Sequence, residues 1–202
     1  MPFSTDTKWP QYVLNTFENH LSDDFGPYDM LLHYALEDSF TLFVTPQTTY
    51  HRNETSPSDP VPWPFSTLLV GMTRRRSPVF FAEIILGEWA NDAYCRENAH
   101  AQMCRRFNQI LPDCPIPRLY GLSLLGTSLC VYCADKVTRR ITCHSIPDTH
   151  ITLHNPDEDI LPSDYLRGHW NIDILSPEGL AKMQEIIGYI KAEVGAANVV
   201  GQ

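Results

Sequence analysis

The first residue with chemical potential is Glu83, which sits inside the run Phe80-Phe81-Ala82-Glu83-Ile84-Ile85. Alternation places such a run on a strand with both faces covered. Burying an unpaired carboxylate costs on the order of several kcal/mol, so Glu83 needs a cation. Two kinds are at hand. Arg96 or Arg106 would make a buried structural ion pair. A divalent metal would make Glu83 a ligand.

The second grouping is Glu97, His100 and Cys104, spaced by three and four residues and therefore on one stripe of a helix. A His and a Cys one turn apart suit a borderline or soft metal. The same spacing also describes a half-buried helix face carrying a small thiol. Together, Glu83, Glu97, His100 and Cys104 form the candidate metal set.

Other groupings carry less. Cys130 and Cys133 are three apart on a strand and point to opposite faces, which makes them poor co-ligands. Cys143-His144, His150 and His154 fall in a polar, irregular stretch, where a surface role is the simpler reading. Arg74-Arg75-Arg76 reads as a solvated hairpin tip. There is no glycine-rich phosphate loop, no Gly-x-Ser-x-Gly elbow and no His-Glu-x-x-His zinc helix.

The elements that must position these residues follow from periodicity. Residues 8–22 predict a helix through Trp9, Tyr12, Val13, Phe17 and Leu21, stopped by Gly26-Pro27. Met30–Leu36 and Phe40–Thr45 read as a strand hairpin. Residues 46–66, crowded with proline, form a long loop whose Trp63 and Phe65 would cover something apolar. Strands follow at Thr67–Met72 and Val79–Leu86, and a helix at 89–111 with Ala99, Met103, Phe107 and Ile110 on its core face. Leu119–Leu125 and Ser128–Ala134 are strands joined at Gly126-Thr127, and residues 139–161 are irregular. Ser176-Pro177-Glu178 opens a last helix, buried along Leu180, Met183, Ile186, Ile187, Ile190 and Val194. No repeat or linker divides residues 1–202, so the expected fold class is a single α/β domain with a mixed central sheet flanked by helices.

Composition narrows the partners. The net charge of -9 gives an overall field that repels phosphates, which sets nucleic acid behind a small-molecule ligand. Apolar stretches reach only about eight residues, too short for a membrane span. The start, MPFSTDTKWP, has neither the basic nor the apolar region of a secretory signal. The expectation is a cytoplasmic chain whose six cysteines are free thiols. Oligomeric state stays open, a homodimer included.

The order of elements, with an acid on a core strand just before a long helix, resembles the PD-(D/E)XK nuclease-like fold. The stretch Val79–Gln109, then Pro115–Ser123, and Trp170-Asn171-Ile172-Asp173-Ile174-Leu175-Ser176-Pro177-Glu178-Gly179, also resemble a group of mushroom proteins. That resemblance implies a restriction-endonuclease-like core in which Glu83 is the motif acid. It also implies a Lys two residues later to position the attacking water, and an upstream Asp to share the metal. This chain departs from the pattern: Ile85 stands at the Lys position, followed by Gly87 and Glu88, and only Asp29 or Asp59 could supply the Asp. His100 and Cys104 stand where such relatives carry an acid and an Arg. The resemblance therefore implies a degenerate, non-catalytic cleft. Ile85 would floor it, Glu83 would edge it, and Trp63 and Phe65 would cover it, around a small flat ligand. The chain is also similar to small fungal chromoproteins, which implies an indolone-type chromophore and a metal-assisted site. The other expectation is a metal-dependent nuclease or phosphodiesterase in which Arg96, Arg105 or Arg106 replaces the Lys.

Overall fold

The protein is described from a computed structural model, at residues 7–19, 26–36, 42–47, 66–72, 77–85, 89–143 and 161–200. Helices α1 (Gln11–Asn19) and α2 (Gly26–Leu36) are followed by strands β1 (Leu42–Gln47), β2 (Ser66–Met72) and β3 (Pro78–Ile85). Helix α3 (Ala93–Ile110) crosses to β4 (Arg118–Leu125), β5 (Ser128–Asp135) and β6 (Ile141–Cys143). The short β7 (Ile172–Asp173) and helix α4 (Pro177–Val200) complete the order. The result is a mixed α/β domain whose sheet runs β1-β2-β3-β4-β5-β6, with β7 paired to β5. All neighbours are antiparallel except β3 and β4, which α3 connects in parallel.

The parallel pair is what puts α3 across one face of the sheet. Phe81 of β3 meets Phe107 of α3 with ring centroids 4.8 Å apart. On the opposite face Tyr120 of β4 meets Tyr189 of α4 at 5.5 Å. Because side chains alternate, register sorts the strand residues under α3 into two rows. One row runs Thr67, Glu83, Ser123, Cys130 across β2 to β5. The other runs Leu69, Phe81, Gly121, Tyr132, Cys143 across β2 to β6. Gly121 leaves room in the second row, since a Cβ there would lie 2.7 Å from both Met103 Cε and Phe81 Cζ.

Helix α3 begins where its cap dictates. Asp92 accepts from the Cys95 backbone N–H at 2.8 Å, so the helix starts at Ala93, four residues later than periodicity alone suggests. Its predicted core face is buried, as is the predicted stripe of α4. The predicted strand at Met30–Leu36 is overturned, because these residues belong to α2. Tyr28, Leu31, Leu32, Ala35 and Leu36 are buried at steps of three, one, three and one, which is helical spacing. Gly26-Pro27, expected to stop a helix, instead opens this one, where proline's missing N–H has no consequence. The expected hairpin with residues 30–36 is thus absent, and the partner of β1 is β2. The expected loop at 46–66 loses its ends to β1 and β2, and its interior lies outside the described residues, Trp63 and Phe65 included. Residues 141–143 of the expected irregular region form β6, and β7 is an element that periodicity did not show.

Candidate functional site

Glu83 lies in the middle of β3 and is 1 % exposed. Its cation is Arg106, one of the two arginines proposed, with Arg106 Nε donating to Glu83 Oε1 at 2.6 Å. The hydroxyl of Thr67, opposite Glu83 in the β2–β3 register, stands 3.1 Å from both carboxylate oxygens. Arg106 Nη2 donates to that same hydroxyl at 2.9 Å, which closes a ring of three side chains. Gln102 adds a further hydrogen bond to the carboxylate. Burial pushes the Glu83 carboxyl above the usual range, while Arg106, Thr67 and Gln102 pull it back. Such a network satisfies buried polar groups together, and its members strengthen one another in the low local dielectric.

Arg96, the other arginine proposed, serves the chain instead. Its Nε donates to Tyr165 O at 2.7 Å, Nη1 to Ala90 O at 2.8 Å and Nη2 to Ser163 O at 2.8 Å. These bonds tie the segment after residue 161 to the first turn of α3.

His100 and Cys104 do come together, but Glu83 and Glu97 do not join them. The Cys104 thiol is 3.6 Å from His100 Nε2, and His100 Nδ1 is 3.1 Å from the Tyr132 hydroxyl. The imidazole also stacks on the Tyr132 ring, with centroids 5.8 Å apart and planes 28° apart. Burial lowers the His100 pKa to about 4, with His169 pushing the same way and Cys143 opposing. The imidazole is therefore neutral near pH 7. Burial also raises the Cys104 thiol, so it stays protonated there. Among the described residues no three His, Cys, Asp or Glu side chains converge to hold a metal ion.

The nuclease metal centre does not fit the residues present. The Glu83 carboxylate is already engaged by Arg106, by the Thr67 hydroxyl shared between its two oxygens, and by Gln102. Ile85, at the Lys position, is 2 % exposed and packs in the core. Asp29 lies on α2, which packs against α4 on the other side of the sheet, and its side chain faces His33. Asp59, Gly87 and Glu88 lie outside the described residues. The expected flat cleft between β3 and α3 is likewise filled, by Phe81, Phe107, Met103 and the Glu83–Arg106 pair.

No protein-family model, curated protein or solved structure matches this chain.

Sequence reasoning missed Thr67, Tyr132 and Ser123. Thr67 had half a signal: the β2–β3 hairpin brings it beside Glu83, but the register shift between Val70 and Gly71 is what sets the two opposite. Ser123, which accepts from Trp170 Nε1 at 3.2 Å, had none, since that contact spans 47 residues. His144, His150, His154 and Arg74–Arg76 lie outside the described residues. No helix among the described residues is long and apolar enough to cross a membrane.

Proposed function

We propose that this chain is a non-catalytic small-molecule binding protein on a nuclease-like core, with pigment binding the leading case. The observation that carries this reading is the closure of Glu83 by Arg106 and Thr67. A hydrolytic metal centre needs carboxylate oxygens open to an ion and to water. Here the acid is spent on an ion pair, and its companion Lys is an apolar Ile85. The order of the meander β1-β2-β3, the helix α3 and the parallel β4 supports this reading.

The ligand is assigned to the edge of α3 near Cys104 rather than to the filled space over Ile85. Cys104 is half-buried there, with neutral His100 behind it and His169 in electrostatic reach of the same imidazole. The protonated Cys104 thiol, backed by the neutral imidazole, offers a flat, uncharged molecule a hydrogen-bonding contact without the cost of desolvating a charge. An indolone-type chromophore has that chemistry. A metal ion that took part would sit at the His100–Cys104 pair, which offers one nitrogen and one sulfur.

The deciding experiment joins two measurements on purified protein, a visible absorption spectrum with metal analysis and a plasmid-nicking assay with magnesium or manganese. The reading expects a bound absorbing molecule, its spectrum shifted in His100→Ala, and no nicking above background. Metal-dependent nicking that disappears in Glu83→Gln, a variant that keeps the side-chain shape and whose circular dichroism matches wild type, would establish the nuclease or phosphodiesterase reading instead.

A further inference from the structure

The two rows under α3 end on sulfur. Cys130 closes the row of Thr67, Glu83 and Ser123, and Cys143 closes the row of Gly121 and Tyr132. Both thiols are reduced, and both lie on the α3 face, on the paired strands β5 and β6. Their sulfur atoms are 2.9 Å apart. They are 1 % and 5 % exposed, with Cys143 the more accessible of the two.

That separation discriminates between the two things a pair of thiols can do. Two thiolates on one tetrahedral zinc, each with a metal–sulfur bond of about 2.3 Å, hold their sulfurs about 3.8 Å apart. A disulfide holds them at about 2.05 Å. At 2.9 Å the pair is already too close for chelation and has about 0.9 Å left to close. The two positions are diagonal across the β5–β6 ladder, since Cys143 pairs with Tyr132 rather than with Cys130. Diagonal neighbours lie near the upper limit of bridging distance, so one strand must move inward. Strand β6 can do so: it has three residues and, among the described residues, its ladder partner is β5.

We propose that Cys130 and Cys143 are an oxidant-sensitive dithiol that closes to a disulfide with hydroperoxides as the oxidant class. The Cys143 thiolate, formed by loss of its proton to water, attacks one peroxide oxygen. The O–O bond breaks, Cys143 becomes a sulfenic acid, and hydroxide leaves to be protonated to water. The Cys130 sulfur, as thiolate, then attacks the Cys143 sulfur, the S–OH bond breaks, and a second water is released. In total two thiols and one hydrogen peroxide give one disulfide and two waters. A small hydroperoxide reaches a sulfur that is almost covered, whereas a bulky disulfide such as oxidised glutathione does not. The crosslink would fasten β6 to β5 beside Tyr132, and it does not depend on the ligand proposed above.

The test treats the full chain with hydrogen peroxide, quenches with a thiol-blocking reagent, and reads intact mass and non-reducing peptide maps. The expected result is a mass lower by two hydrogens, a crosslink joining the Cys130 and Cys143 peptides, and full reversal by dithiothreitol. Oxidised glutathione should produce little of it. In Cys130→Ser the crosslink is lost and Cys143 gains oxygen instead, while Cys114→Ala crosslinks as the wild type does. Cys143→Val, which keeps β6 apolar, is the second variant should Cys130→Ser fold poorly, and it should leave Cys130 unmodified. Free thiols at both positions after peroxide, a crosslink through Cys104, or protection of the pair by added zinc would each overturn the proposal.

Discussion

Replacing Glu83 by alanine should be among the most damaging single changes available in this protein, and Arg106 is the reason. At 2.6 Å, with an effective dielectric constant of about 20, the attraction between the two charges is about 6 kcal/mol. Desolvating both ions takes back several kcal/mol each, so the intact pair adds little net stability. Its removal is asymmetric. In Glu83→Ala the Arg106 guanidinium stays buried, keeping Thr67 and a 3.4 Å contact to Gln109 as acceptors. A half-broken buried pair costs about 3–5 kcal/mol. Against a domain stability of about 5–15 kcal/mol, that is a large fraction. The double variant Glu83→Leu with Arg106→Met removes both charges and keeps the volume, and should recover most of the loss. Urea unfolding followed by circular dichroism measures this as a change of midpoint at constant slope. If Glu83→Ala lies within about 1 kcal/mol of wild type, the pair does not hold Arg106 in place, and the acid is not closed to metal.

Three further outcomes follow from the same structure. His100 is predicted to set an acid limit on stability. Its folded pKa of about 4 lies below an unfolded value of about 6.5, so the unfolded state binds the extra proton between them. Stability is therefore full above pH 6.5 and falls by about 3 kcal/mol as pH drops to 4. The difference between wild type and His100→Phe across that range isolates the effect from Glu83, whose raised pKa acts in the opposite sense; parallel pH curves for the two proteins would refute it. Gly179→Ala should destabilise strongly, because its Cβ would press on the carbonyl oxygens of Ile174 and Asp173, backbone atoms that cannot swing away; an unchanged melting temperature would count against this packing. Gly121→Val should cost about 1–3 kcal/mol by overpacking against Met103 and Phe81, and a paired Met103→Ala should relieve part of it, as chemical denaturation of the three variants would show.

Much of this architecture is legible in the chain itself. The helical stripes of α3 and α4, and strands β2 to β5, appear as periodic apolar patterns because each is long enough to repeat its period. The suspicion attached to Glu83 is also a property of the sequence, since a carboxylate inside an apolar strand must find a cation. What periodicity could not settle is α2, where seven consecutive residues with few polar positions fit a strand as well as a helix, and packing against α1, α4 and β1 selects the helical face. Nor could it choose between Arg96 and Arg106, which are ten residues apart on one helix. Their fates are set by what lies beneath each: the chain after residue 161 under Arg96, and β2 and β3 under Arg106. The same holds for Glu97, His100 and Cys104, one stripe in sequence. His100 reaches Tyr132 and Cys104, while Glu83 is taken by Arg106. Local patterns determine which residues must be buried. Only the parallel β3–α3–β4 crossover decides which of them meet, because it sets two strand rows and one helix face at a single angle.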